Sequence, residues 1–84
     1  NRSGLSQYEQ DKQAKREARA RQRRAEQLEQ QIAEYEQILE EQAALLTQPD
    51  VYNDYLRVQE IQQQVDSVRT KLETAYAEWE TCME

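Results

Sequence analysis

The chain contains no histidine and no phenylalanine, and it has one residue each of glycine, proline, cysteine, methionine and tryptophan. Common zinc sites need histidine or paired cysteines, and Ser–His or Cys–His catalytic pairs need histidine. A loop that cradles phosphates needs several glycines, whereas Gly4 stands alone. Cys82 cannot form a disulfide within the chain, which is consistent with a reducing compartment. We therefore predict that this chain is not an enzyme and binds no metal or cofactor itself.

The chain also lacks a long apolar segment, a start methionine and a visible secretion signal. Its longest apolar run covers residues 43–46, far short of the roughly 20 residues that cross a bilayer. We therefore expect no membrane partner and a cytoplasmic location. The methionine is Met83, so we expect a piece of a larger protein, with residues 1–5 as a disordered leader or a remnant of cloning. A length of 84 residues allows one domain.

Pro49 separates two apolar series that repeat at alternating steps of three and four residues. The upstream series is Ala25, Leu28, Ile32, Tyr35, Leu39, Gln42 and Leu46, and the downstream series is Val58, Ile61, Val65, Val68, Leu72, Ala75 and Trp79. This spacing places each series on one face of a helix, as in a coiled coil. A proline inside a helix removes a hydrogen bond and clashes with the preceding turn, which disfavours one continuous rod. The pattern predicts an all-α fold, an antiparallel two-helix coiled-coil hairpin over residues 6–84.

Local signals set the expected helix bounds. Ser6 and Glu9 have the spacing of a capping box, in which each side chain bonds the other residue's backbone amide. Asn53 is the predicted N-cap of the second helix. The expected elements are helix 1 over about residues 7–46, a turn over residues 47–53, and helix 2 over about residues 54–81.

A fold about residue 50 predicts which residues face each other. The expected pairs are Leu46 near Asp54 and Tyr55, Leu39 with Ile61, Tyr35 with Val65, Ile32 with Val68, and Leu28 with Leu72. Trp79 then lies opposite Arg21, which occupies a seam position. A cation–π contact with the indole ring of Trp79, worth about 0.5–2 kcal/mol, would explain why an arginine stands at this seam position. The alternative is that the seam is frayed there and Arg21 points into water, and the sequence leaves both open.

The net charge of −6 conceals a division along the chain. Residues 1–24 carry eight Lys or Arg against three acids, a net charge of +5, whereas residues 25–84 carry a net charge of −11. The predicted nucleic-acid-binding residues form a stripe with two flanking cations: Lys12, Arg16, Arg19 and Arg23, with Lys15 and Arg24 beside them. Cations in a row match a phosphate backbone, because neutralised phosphates release condensed counterions. No Asn or Gln pattern indicates base reading, so we expect weak sequence specificity.

Two other interpretations of the basic stretch deserve comparison. The first is a solvated face with intrahelical partners, such as Asp11 with Lys15 and Glu9 with Lys12; the local excess of +5 favours polyanion binding over it. The second is a basic leucine zipper. The upstream apolar series spans only about three heptads before Pro49, and a second helix with a complementary apolar series follows. Both features argue against a zipper.

The chain combines its basic helix with a Leu28-Glu29 and Ile32 seam, a Pro49-Asp50-Val51-Tyr52 turn and a Tyr76-x-x-Trp79-Glu80 ending. In this combination, over about residues 5–84, it resembles the C-terminal coiled-coil extension of ABC-F ATPases. These are cytoplasmic proteins with two ATP-binding cassettes and no transmembrane part. Thr81-Cys82 stands where such extensions often carry an aliphatic residue, so we expect looser packing at that end of the hairpin.

The resemblance implies a parent protein that hydrolyses ATP with magnesium and acts on ribosomes in translation or antibiotic protection. The ATPase motifs would lie upstream. In some members of the family this extension binds DNA or helps to engage ribosomal RNA. The resemblance therefore favours DNA or ribosomal RNA as the partner of the basic stripe.

Two hypotheses remain. In the first, the hairpin is a nucleic-acid-binding appendage of a cassette ATPase. In the second, it is a structural coiled coil that docks on the ATPase domains of its parent or forms a weak homodimer, and its cations serve only solubility. The sequence does not distinguish DNA from RNA or define the oligomeric state.

Overall fold

The computed structural model describes residues 2–84, with side chains from residue 6 onward. Its helices are α1 (Arg2–Leu45), α2 (Pro49–Tyr52) and α3 (Tyr55–Met83). No strand occurs within residues 2–84. Helices α1 and α3 lie side by side in opposite directions and form a rod of 75 × 14 × 14 Å. The predicted all-α hairpin is confirmed.

The two apolar series form the interface between α1 and α3. All fourteen predicted seam residues are buried or half-buried. Leu28, Ile32 and Ala75 form the central cluster, and Tyr35, Leu72, Trp79 and Cys82 pack against it. Burial of these side chains, at roughly 25 cal/mol per Å² of apolar surface, is the main force that holds the two helices together.

The two long helices differ in length, and this difference creates an overhang. With 44 residues, α1 is about 66 Å long, whereas the 29 residues of α3 span about 44 Å. Cys82 and Met83 at the end of α3, and Glu84 after them, share a groove with Ala18 and Arg21. Every residue from 7 to 23 is exposed. The first four turns of α1 therefore extend beyond the end of α3.

The reversal contains a short helix that the sequence analysis did not predict. Gln48 is extended (φ −84°, ψ 129°), as expected for a residue before proline, and Pro49 starts α2. Backbone amides of Thr47 and Gln48 donate to the carbonyls of Ala44 and Leu45 at 3.2 and 3.1 Å. Val51 is fully buried beneath the turn. Pro49 thus redirects the chain and also begins a new helical turn.

Both predicted N-caps were wrong, whereas the second helix begins within one residue of its predicted start. The structure places Ser6 inside α1, which begins at Arg2, so Ser6 is not its N-cap. Residues 2–5 of the predicted leader are part of α1, and Asn1 lies outside the described residues. At α3 the cap is Asp54, whose Oδ1 accepts a hydrogen bond from the amide of Arg57 at 3.2 Å. Asn53 instead ends α2.

The predicted register was also wrong at Ile32 and Leu46, by about seven or eight residues. Ile32 clusters with Ala75, seven residues beyond the predicted Val68. Leu46 lines a groove with Gln62 and Val65 rather than with Asp54 and Tyr55. Tyr35 and Leu72 flank the same central cluster.

A shift of about one heptad leaves both seams in contact, so the apolar pattern alone cannot distinguish the two pairings. The structure has the second pairing because the two helices are offset. Leu46, which follows α1, lies beside Gln62 and Val65, so the first two turns of α3 extend beyond the end of α1 and pack against α2. Side chains on a helix also lean toward its N-terminus, which moves the contacts of antiparallel helices further in the same direction.

At the end of the hairpin Cys82 takes part in the packing, whereas Thr81 and Met83 are exposed. Cys82 continues the downstream series by a further step of three, and its thiol-bearing side chain is half-buried against the central cluster. It therefore occupies the seam position that an aliphatic residue would fill, and a cysteine side chain behaves there as a small apolar group.

Leu28→Ala tests the central cluster. Leu28 is 1% exposed, so its truncation leaves a cavity and should lower the free energy of unfolding by about 2–5 kcal/mol. Leu56→Ala is the matched control because Leu56 is 71% exposed, and it should change that energy by about 0.5 kcal/mol or less. Thermal unfolding at low protein concentration, followed by circular dichroism, measures both. Equal destabilisation by the two variants would contradict the described core.

Candidate nucleic-acid interface

The structure places five of the six predicted binding residues on the exposed surface of α1. Lys12, Lys15, Arg16, Arg19 and Arg23 are all exposed, and helical spacing aligns most of them along one face. They lie on the overhang or next to the end of α3. The neighbouring helix therefore leaves this face open to a large ligand.

The intrahelical ion pairs of the alternative interpretation do not form among the described side chains. Across the side chains of residues 6–84, the structure shows a single ion pair, Arg24 with Glu78. Neither Asp11 with Lys15 nor Glu9 with Lys12 comes within pairing distance in that part of the chain. Glu17 accepts a hydrogen bond from Gln13 at 3.3 Å. The positive charge of the stripe is therefore not neutralised by contacts within the helix.

The sixth predicted residue, Arg24, has a partner on the other helix. Its Nε donates to Glu78 Oε2 at 2.6 Å, and a second nitrogen donates to Gln27 at 3.3 Å. The hydrogen bond with Glu78 raises the pKa of Arg24, and the same bond lowers the pKa of Glu78. Both side chains remain more than 40% exposed, so water and salt screen the pair. Arg24 stabilises the hairpin and marks the inner limit of the free basic face.

Two aromatic side chains also bond across the hairpin. The indole N–H of Trp79 donates to Glu29 at 2.9 Å, and the hydroxyl of Tyr76 donates to Glu36 at 2.7 Å. The bond to Glu36 raises the pKa of the Tyr76 hydroxyl, because a carboxylate acceptor favours the protonated phenol. Each bond joins α3 to α1 beside the apolar seam.

The position of Trp79 decides the question about Arg21. Its partner Glu29 lies eight residues, about two turns, from Arg21 along α1. Arg21 is exposed and lines the open groove at the end of α3. Within residues 6–84, Arg21 thus takes the second of the two arrangements that the sequence left open: it points into water and does not stack on Trp79.

Sequence reasoning missed one group of exposed residues at the turn. Tyr52, Tyr55 and Leu56 are 54%, 70% and 71% exposed. We name these three residues the tip patch. A signal for it was present, because Tyr55 and Leu56 precede Val58, the first residue of the downstream series, and so fall outside the seam.

The described residues provide no metal site and no membrane span. Within residues 2–84, no three Asp, Glu or Cys side chains are grouped so that they could hold a metal ion. In the same range no helix has the length and apolar content needed to cross a bilayer. The absence of a cofactor from this chain stays a prediction.

Comparison with known families identifies the class of this hairpin. The sequence model of the ABC transporter C-terminal domain matches residues 16–84, more than three quarters of the chain. The chain therefore belongs to the ABC transporter C-terminal domain family, in agreement with its resemblance to the C-terminal extension of ABC-F ATPases. Neither a curated protein nor a solved structure matches the chain significantly. As a small helical C-terminal domain, it is not a catalytic ATPase domain.

Glu78→Gln tests the ion pair through its pH dependence. The pKa of Glu78 is lowered in the folded state, so its pair adds stability above the ordinary value of 4.5. That stability is lost as the pH falls through the folded pKa. The variant should therefore melt below the unmodified chain at pH 7, and this difference should vanish in acid.

The matched control is Glu80→Gln, which removes an exposed carboxylate two residues away. Melting curves of the three proteins between neutral and acid pH give the comparison. A pH-independent difference for Glu78→Gln, or an equal effect of Glu80→Gln, would contradict the role given to the pair.

Proposed function

We propose that this domain binds DNA or ribosomal RNA through the exposed basic face of α1. The proposed contacts are Lys12, Lys15, Arg16, Arg19 and Arg23, with Arg24 at the inner edge. The observation that supports this most strongly is the exposure of the first five cations, on the overhang or next to the end of α3, without ion-pair partners among the side chains of residues 6–84.

The dimensions of the stripe suit a phosphate backbone. From Lys12 to Arg23 it extends about 16 Å along α1, at 1.5 Å per residue. A duplex presents a phosphate about every 1.7 Å of axis when both strands are counted. Several phosphates can therefore lie within reach of five flexible cationic side chains. Because phosphates carry no base information, such contacts position the domain without sequence specificity.

The rest of the hairpin would set the direction of approach. Residues 25–84 carry a net charge of −11 and repel a polyanion, whereas residues 1–24 attract it. A nucleic acid would therefore contact the overhang end of the rod, and the turn would point away from it.

The parent protein supplies the context for this proposal. Membership of the ABC transporter C-terminal domain family suggests a larger protein with ATP-binding cassettes, in which ATP and magnesium would act outside this chain. We propose a cytoplasmic parent that acts on ribosomes or DNA, to which this domain contributes affinity rather than chemistry.

A structural role is the second candidate, and the tip patch favours it. Three large apolar side chains remain exposed at the turn, although the hairpin has its own core. In this case the domain would dock on the ATPase domains of its parent or on another protein surface.

Charge reversal separates the two candidates. Arg16→Glu, Arg19→Glu and Arg23→Glu together should abolish binding to duplex DNA and to ribosomal RNA, because each change replaces an attraction by a repulsion. The matched control replaces Arg57, Arg69 and Lys71 on α3 by Glu, which changes the net charge by the same amount. This control should keep most of the affinity for nucleic acid. Fluorescence anisotropy measures the affinity, and circular dichroism verifies that helicity is preserved.

The salt dependence gives an independent check. If about five cations contact phosphates of duplex DNA, a plot of log affinity against log salt concentration should have a slope of roughly −4 to −5. Binding that survives the α1 reversal, or that both reversals weaken equally, would refute the proposed interface and leave the structural role.

A further inference from the structure

Of the six exposed large apolar side chains within residues 6–84, four lie near the two ends of the rod, whereas Tyr76 and Met83 lie between the ends. Tyr8, 68% exposed, lies on the overhang, and the tip patch lies at the opposite end. The hairpin does not use the tip patch for its core, because Val51 fills the space beneath the turn. Among the side chains of residues 6–84, the hydroxyl of Tyr55 accepts a hydrogen bond from Gln59 of the same helix at 2.7 Å and none from α1. Three such side chains grouped on a small domain indicate a contact surface.

The two ends also carry opposite charge. Residues 6–23, which we name the basic segment, contain six Lys or Arg and three acids, a net charge of +3. Residues 34–66, which surround the tip patch, contain eight Asp or Glu and one cation, Arg57, a net charge of −7. We name this second region the acidic half.

We infer that the tip patch and the acidic half are the docking surface for the basic segment of a second copy of this chain. The two rods would lie antiparallel, related by a twofold axis. In a rod of 75 Å, Tyr8 lies about 9 Å from the beginning of α1 at Arg2, and the tip patch lies within about 10 Å of the opposite end. Antiparallel alignment therefore places Tyr8 of each copy over the partner's tip patch.

In this arrangement, opposite charges meet and exposed apolar side chains are covered at both ends of each rod. Each basic segment covers the partner's acidic half, and the twofold symmetry closes the assembly at two chains. Parallel rods would instead place like charges side by side. A polyanion does not fit the tip patch, because the acidic half repels it.

The chain has enough surface for such a contact. Specific interfaces start near 1,200 Å² in total, about 600 Å² from each chain. That is about a tenth of the 6888 Å² that one chain exposes. Because the dimer covers the cations assigned to nucleic acid, the two kinds of binding should compete.

Sedimentation equilibrium of the full chain under reducing conditions, after nuclease treatment, tests the association. The chain should form a dimer and no larger species, and high salt should weaken it by screening the opposite charges. Leu56→Ser should raise the dimer dissociation constant about tenfold or more, because the lost contact occurs twice per dimer. Met83→Ser is the matched control: Met83 is 58% exposed but lies away from both ends, and its replacement should have little effect.

A crosslinking experiment tests the orientation. Two variants that lack the native thiol (Cys82→Ala) each carry one new cysteine, Tyr8→Cys or Tyr55→Cys. A mixture should form a disulfide between position 8 of one chain and position 55 of the other. Each variant alone should form far less crosslinked dimer.

Several results would overturn the inference. They are a monomer up to about 1 mM protein, equal effects of Leu56→Ser and Met83→Ser, or preferential crosslinking of position 8 to itself. A helicity measurement on each variant separates loss of contact from loss of fold. All these readouts omit nucleic acid, so they can fail or succeed independently of the proposed nucleic-acid binding.

Discussion

Closure of the apolar seam between α1 and α3 is the interaction on which the rest of the structure depends. The chain has few large apolar residues and concentrates them on one line of each helix, with Leu28, Ile32 and Ala75 at the centre. A domain of two helices has no second layer to compensate for a lost contact, so its stability should be modest. The cross-helix bonds of Arg24, Trp79 and Tyr76 border this seam and fix its alignment.

Because α1 is longer than α3, the two ends of the rod have different surfaces. Where α3 covers α1, cations are scarce and Arg24 is paired with Glu78. Where α3 ends, α1 continues alone and carries exposed cations. The charge separation that the sequence shows along the chain thus becomes a separation between the ends of a rod. Both the proposed nucleic-acid binding and the proposed dimer follow from this polarity.

The periodicity of the apolar residues predicted the fold class and the seam residues, because residues spaced alternately three and four apart share one face of an α-helix. It did not predict the register. A heptad repeat is unchanged by a shift of seven residues, so Ile32 could face Val68 or Ala75 equally well by pattern. In the structure α3 extends about two turns beyond the end of α1, beside the short helix α2, and nothing in the pattern around Pro49 indicated that offset. The basic stripe was visible in the sequence, whereas the pairing of Arg24 with Glu78 depended on the register.

A distance between spin labels on the two long helices tests the central claim most directly. Gln31 and Thr74 are exposed and line the same groove between α1 and α3. Labels at these positions, diluted with unlabelled chain to suppress intermolecular distances, should lie about 10–20 Å apart, the scale of adjacent helices. One continuous helix would separate them by about 65 Å. A long distance of that order would contradict the hairpin and everything built on it.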